Sequence, residues 1–93
     1  MDNKNLSLEG LIFEAIELSV VNNIMCITLN RPEKKNAINP VMANEIIYSL
    51  AFAAQERDIR VVVIKANGDV FCAGGDLGTM SGKSSESTSN VPS

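Results

Sequence analysis

Phe71, Cys72, Ala73, Gly74, Gly75, Asp76 and Leu77 form a small-residue turn downstream of a four-residue apolar run, Val61 to Ile64. A strand that ends in such a turn leaves backbone N–H groups uncovered, and fixed N–H dipoles are what a developing oxyanion needs. The chemistry that this spacing offers is therefore carried by the Gly75 backbone, with Ala73 and Gly74 small enough for a ligand to approach closely. No histidine is present to act as a general base. An A-G-G-D tetrapeptide taken alone reads equally as a plain glycine turn joining two elements.

Other candidate chemistries are weaker. Gly82, Lys83 and Ser84 match the end of a phosphate-binding loop, but Leu77 stands where the pattern requires its first glycine, and no strand immediately precedes the motif. Cys72 lies between Phe71 and Ala73 with no histidine to activate it, so it reads as a small buried residue before it reads as a nucleophile. Cys26 and Cys72 lack the C-x-x-C spacing of a redox or zinc site and are expected to be reduced core thiols. Glu45 and Glu56 are expected to face solvent from the surface and the end of a helix.

The elements that must position the turn follow from periodicity. Ile12 to Val21 alternates as a half-buried strand, with Ile12, Ile16, Leu18 and Val20 on one face. Asn22 and Asn23 tolerate positive φ and predict a tight hairpin into a second strand, Ile24 to Leu29, closed by Arg31 and Pro32. A polar loop, Glu33 to Asn36, leads to Asn39 as N-cap and Pro40 at the first helical position. The helix is expected to run to about Glu56. Its apolar face reads as Ala43, Ile46, Ile47, Leu50, Ala51 and Ala54, so truncating Leu50 to alanine would cost about 2 to 5 kcal/mol. Val61 to Ile64 is β-branched and continuous, as in a strand of a parallel sheet covered on both faces. Strand, helix and strand make a βαβ crossover.

Composition narrows the function. The 93 residues are 45% hydrophobic and 20% charged, enough for one small core. A net charge of −3 without a basic stripe, and only 4% aromatic residues, exclude nucleic acid as the expected partner. The apolar runs are too short to span a bilayer and the first ten residues carry no secretory pattern, so a cytoplasmic location with no membrane partner is expected. Residues 1–11 read as a flexible lead and 12–80 as the folded part. Ser81 to Ser93, with six serines and Val91 as its one large apolar residue, reads as a mobile, solvated loop or tail.

The segment ITLNRPEKKNAI from Ile27 to Ile38, the capped helix, the strand RVVVIKA and the turn FCAGGDL together resemble the opening of the enoyl-CoA hydratase/isomerase, or crotonase, family. The likeness runs from about Ile12 to Met80 with natural spacing. It implies an α/β fold: the first ββα turn of a crotonase-like spiral, with a βαβ crossover, followed by the disordered Ser-rich tail. It further implies an enzyme that processes acyl-CoA thioesters, as in fatty acid metabolism, by holding the thioester enolate in a backbone oxyanion hole.

In the site so implied, the Gly75 N–H is one of two oxyanion donors. Ala37, Ile38, Ala73, Gly74, Asp76 and Leu77 line the substrate and coenzyme A site, with Asp76 accepting a local backbone bond. Lys34 and Lys35 either reach the phosphates of coenzyme A or form a solvated charged loop beside Glu33. No cofactor is expected to be held permanently and no metal is expected, coenzyme A arriving as part of the substrate. The thioester is carried by coenzyme A or by an acyl-carrier protein. Members of the family take the second donor and the catalytic carboxylates from later in a longer chain. The resemblance therefore implies a part that is inactive alone, working in a trimeric or hexameric homo-oligomer of the parent or with a complementary C-terminal piece. A non-catalytic thioester-binding or assembly module, and a nonfunctional folding fragment, are the alternatives.

Overall fold

In the computed structural model, which describes residues 5–76, 78 and 87–93, the chain forms a three-stranded sheet with one helix. Strand β1 is Ile16–Val21 and β2 is Ile24–Leu29. Asn22 and Asn23 both adopt positive φ, 52° and 70°, the two-residue turn whose twist matches an antiparallel hairpin. The pairing runs from Val21 opposite Ile24 to Ile16 opposite Leu29. The first strand is shorter than its alternation suggests: Ile12 lies outside it and is exposed.

Helix α1 spans Pro40–Gln55, with Asn39 accepting the Met42 N–H at 2.8 Å and Pro40 opening the first turn. Strand β3, Val61–Ala66, extends two residues beyond the β-branched run and pairs parallel with β2, from Ile24 opposite Val61 to Leu29 opposite Ala66. The sheet order is β1-β2-β3. The hairpin turn also anchors the start of β3, since the Asn23 carbonyl accepts the Arg60 N–H at 2.8 Å and the Asn23 amide donates to the Asp58 carbonyl at 2.7 Å. Met25, Ile27 and Leu29 alternate into the core beside Ala15, Ile16, Met42 and Ala53.

The helix face differs from the periodicity reading. Met42, Glu45, Ser49 and Ala53 face inward, while Ile47 is 66% and Leu50 41% exposed. Each residue turns a helix by about 100°, so the buried stripe lies one residue back from the one expected. Glu45, expected in solvent, is 0% exposed. Its carboxylate accepts the backbone N–H groups of Glu14, Ala15 and Ile16 at 2.7, 2.8 and 3.2 Å, where the chain enters β1. Those donors need an acceptor in the interior, and this requirement outweighs the apolar stripe. Met42→Ala is accordingly expected to cost about 2 to 5 kcal/mol and Leu50→Ala no more than about 0.5 kcal/mol, read from urea unfolding midpoints. The reverse order would restore the periodicity reading.

Strand β3 is not covered on both faces by the described residues: Val61, Val63 and Ile64 remain exposed and only Val62 and Ala66 are half-buried. Cys26 and Cys72 are free and half-buried.

Of the segment expected to be mobile, 81–86 lies outside the described residues, whereas 87–93 docks on the fold. Val91 is buried, not solvated. The Asn44 amide donates to the Val91 and Pro92 carbonyls, and Asn90 bonds the backbone of Gly10 and Ile12. Backbone and side-chain bonds thus offset the ordering entropy that composition alone would leave uncompensated.

Glu14 holds the near end of this strap, accepting from Ser87 Oγ at 2.8 Å and from the Thr88 N–H at 2.7 Å. These bonds, Ser87 first, prevail over partial burial and lower the Glu14 pKa below its ordinary 4.5. A carboxylate with a depressed folded-state pKa stabilises docking above its unfolded value and loses that contribution as pH falls through the folded one. The Ser87 and Thr88 amide resonances are therefore expected to keep docked positions at neutral pH and to move toward free-chain values only in acid below 4.5. Movement complete above that pH would show that Glu14 does not hold the strap.

Candidate oxyanion turn

Two loops meet beyond the C-terminal ends of the parallel strands. After β2 the chain makes a short 3-10 turn at Pro32–Lys34 and passes through Lys35 and Asn36, both with positive φ, to Ala37 and Ile38. After β3 it turns at Gly68 and returns through Val70 to Asp76. Gly68 has φ +91°, and a Cβ there would lie 2.9 Å from the Pro32 Cβ, so the two loops approach where glycine alone fits.

Asn36, read from sequence as part of a polar loop, is fully buried and fastens these loops together. Its side-chain oxygen accepts the Arg31 N–H at 2.7 Å, and its amide donates to the carbonyls of Asn67 and Val70 at 2.8 and 2.9 Å. With Asn36 in place, residues 35–38 run alongside residues 73–76. The Ala73 N–H donates to the Lys35 carbonyl, the Ile38 N–H to the Gly74 carbonyl at 2.8 Å, and the Asp76 N–H to the Ile38 carbonyl at 2.9 Å. Ile38 and Gly75 are the partners of this parallel bridge.

That arrangement aims the Gly75 N–H. In a trans peptide the carbonyl and the N–H point in opposite directions. No peptide bond among the described residues is cis. The Gly74 carbonyl faces Ile38, so the Gly75 N–H points away from it. It has no hydrogen-bond partner among the described residues, and Gly75 is exposed. Gly74 has φ +102°, and a Cβ there would meet nothing within 4 Å, so glycine is required here by backbone conformation, not by crowding.

The other sequence candidates fall around this turn. Ala37 and Ile38 form its opposing wall, and Ala73 is exposed beside it. Lys34 and Lys35 are exposed on the 3-10 turn and its end. Leu77 lies outside the described residues. Cys72 is half-buried against the core, and its sulfur receives the Gly74 N–H at 3.4 Å. Asp76 accepts the Gly78 N–H at 3.1 Å, the local backbone bond expected of it.

Asp76 also pairs with Arg31, which sequence reasoning treated only as the end of a strand. Arg31 Nη2 lies 3.1 Å from Asp76 Oδ2, with the two side chains 12% and 17% exposed. Arg31 Nη1 donates to the Ala37 carbonyl. The signal available in sequence was an arginine and an asparagine five residues apart, but their partners lie on a loop more than thirty residues away.

The sequence profile of the enoyl-CoA hydratase/isomerase family matches residues 19–92, most of the chain. The chain belongs to the enoyl-CoA hydratase/isomerase family. Among relatives, trans-2-decenoyl-[acyl-carrier-protein] isomerase of Streptococcus mutans is 38% identical over 65 residues, which cover 70% of this chain and 25% of the relative. Human enoyl-CoA delta isomerase 2 is 40% identical over 65 residues, covering 70% of this chain and 16% of that protein. Among solved structures, an enoyl-CoA hydratase/isomerase from Pseudoalteromonas atlantica superposes with a TM-score of 0.73 at 35% identity, covering 80% of this chain and 30% of the other. An enoyl-CoA hydratase from Mycobacterium tuberculosis gives 0.71 at 32% identity, covering 77% and 33%. The chain thus spans about a quarter of the first of these relatives and no more than a third of these structures.

Proposed function

We propose that this chain holds the carbonyl oxygen of an acyl thioester against the Gly75 N–H, as one of two donors in an oxyanion hole that stabilises the thioester enolate. The observation that carries the reading is the outward-pointing Gly75 N–H, without a partner among the described residues and held by the bridge to Ile38 in a chain of this family. An enolate concentrates charge on one oxygen, and a dipole already fixed in place stabilises it without the reorganisation that water needs. Ala37, Ile38, Ala73, Gly74 and Asp76 are proposed to surround the thioester and pantetheine, with Lys34 and Lys35 on the phosphate side.

The substrate class is an acyl-CoA or acyl-carrier thioester, as the names of the relatives suggest, and coenzyme A takes part as substrate and not as a resident cofactor. We further propose that the 93 residues bind such a thioester without turning it over. Glu45, a buried carboxylate, is committed to three backbone N–H groups, and Asp76 to Arg31, which leaves neither at hand for proton transfer. This same commitment favours, as the second reading, a thioester-binding or assembly module.

Exposed Val61, Val63 and Ile64 on β3, with Ile47 and Leu50 on α1, support an oligomer or a complementary polypeptide as their cover. No helix of the described residues is long and apolar enough to cross a membrane, and a cytoplasmic location is our proposal.

Calorimetric titration with crotonyl-CoA, alongside an assay of its hydration and isomerisation, tests both parts. Binding without turnover by the 93 residues, and turnover once the remainder of a family member is added in trans, is the expected result. Robust turnover by the 93 residues alone would overturn the proposed lack of turnover, and absence of binding would overturn the site. If the remainder binds crotonyl-CoA and the addition still gives no turnover, the binding-module reading prevails.

A further inference from the structure

The Gly74–Gly75 peptide is the part of the turn that side-chain sterics restrain least. Two consecutive glycines leave that peptide plane free to rotate, and the residue before it in the pair already occupies φ +102°. A rotation of the plane would exchange the Gly75 N–H for the Gly74 carbonyl and present an acceptor where a donor is needed. The bond from the Ile38 N–H to the Gly74 carbonyl opposes this directly. Whether it suffices depends on how firmly the two loops are held together.

Arg31 is placed to hold them. Its backbone is fixed by the buried Asn36. Its guanidinium reaches the Ala37 carbonyl with one nitrogen and Asp76 Oδ2, at 3.1 Å, with another. Ala37 immediately precedes Ile38, and Asp76 immediately follows Gly75. The fork therefore ties the two neighbours of the bridge to each other, in a setting where both side chains are mostly withdrawn from water. A planar fork that satisfies two acceptors at once is a property of arginine that lysine does not share.

We propose that Arg31 is a positioning residue for the Gly75 N–H, acting through Asp76 and Ala37 to keep the Gly74–Gly75 peptide from rotating. Its relevance to thioester chemistry rests on the Gly75 reading above. Removing the fork leaves the fold but lets the peptide exchange between two orientations, so the donor is present for only part of the time. A binding-competent state populated for a fraction of the time lowers apparent affinity by that fraction.

Nuclear magnetic resonance on the ¹⁵N-labelled 93-residue chain separates the two ideas, with crotonyl-CoA as the probe. In the wild type the Gly75 amide proton is expected to shift downfield on saturation. In Arg31→Met the free protein should show new relaxation dispersion confined to residues 73–76, and crotonyl-CoA should bind about tenfold more weakly with less than half of the Gly75 shift. Arg31→Lys should recover part of both. Asp76→Asn keeps an acceptor for the Gly78 N–H but loses the charge, and should resemble Arg31→Met. The double variant should add little further loss, because the two side chains act as one unit.

Unchanged Gly75 dispersion in Arg31→Met and Asp76→Asn, with hairpin amides such as Asn23 reporting an intact fold, would overturn the positioning role whatever the ligand does. Additive losses in the double variant would also overturn it. A wild-type Gly75 amide that ignores bound crotonyl-CoA would instead overturn the oxyanion reading, while the dispersion measurement still decides whether Arg31 holds the peptide. If Arg31→Met does not fold, Arg31→Lys and Asp76→Asn carry the same comparison.

Discussion

Replacing Gly75 with proline is expected to lower kcat by about 100- to 1000-fold in any form of the protein that turns over an enoyl thioester, the usual cost of losing one oxyanion donor. Proline has no N–H, and the N–H lost makes no hydrogen bond within the described fold, so the substitution removes no structural bond. Gly75→Ala keeps the N–H and is expected to retain most activity, which separates loss of the donor from any change at that residue. The effect should fall on kcat more than on KM, because the charge that the N–H is proposed to meet develops only as an enolate forms. Unfolding midpoints for the two variants should lie close to the wild type. Activity of Gly75→Pro within about threefold of the wild type, with an intact fold, would remove the turn from the chemistry.

Glu45→Ala should produce the largest loss of stability, about 3 to 5 kcal/mol, as three backbone donors near the start of β1 lose their acceptor and a buried side chain is truncated. For a domain of this size the whole folding free energy is roughly 5 to 14 kcal/mol, so the variant would be marginal at room temperature. Glu45→Gln should cost less, because one amide oxygen can still serve Ala15 and Ile16, but its NH₂ group would face the Glu14 N–H. Urea unfolding followed by circular dichroism reads both, with a shift in midpoint at unchanged slope as the signature of lost stability. A change below about 0.5 kcal/mol for Glu45→Ala would place the carboxylate in solvent after all.

Gly75 and Glu45 differ in how far along the chain the residues that define their surroundings lie. The turn that carries Gly75 was legible because small residues after a parallel strand are written consecutively in the chain. Glu45 was misplaced because its role depends on where the chain entering β1 crosses the helix, thirty residues away in sequence. Helical periodicity weighs each side chain by its own polarity and carries no knowledge of orphan N–H groups elsewhere. It therefore selected Ile47 and Leu50 for the interior, although both lie beside the stripe of Met42, Glu45, Ser49 and Ala53 that is buried.

The sequence by itself determined the hairpin at Asn22 and Asn23, the cap at Asn39 and Pro40, the strands Ile24–Leu29 and Val61–Ala66 in outline, and the turn that carries Gly75. These depend on local dihedral preference, alternation and the residues immediately around them, and such forces act over a few positions. Tertiary structure decided what no local rule contains: that Asn36 is a buried fastener, that Arg31 and Asp76 close the two loops, and that Val91 and its neighbours dock on Asn44 while Ser87 and Thr88 bond Glu14. In each case a polar side chain is held by partners more than thirty residues distant. Backbone donors and acceptors taken out of water must be satisfied, and which side chain can reach them is known only once the chain has folded.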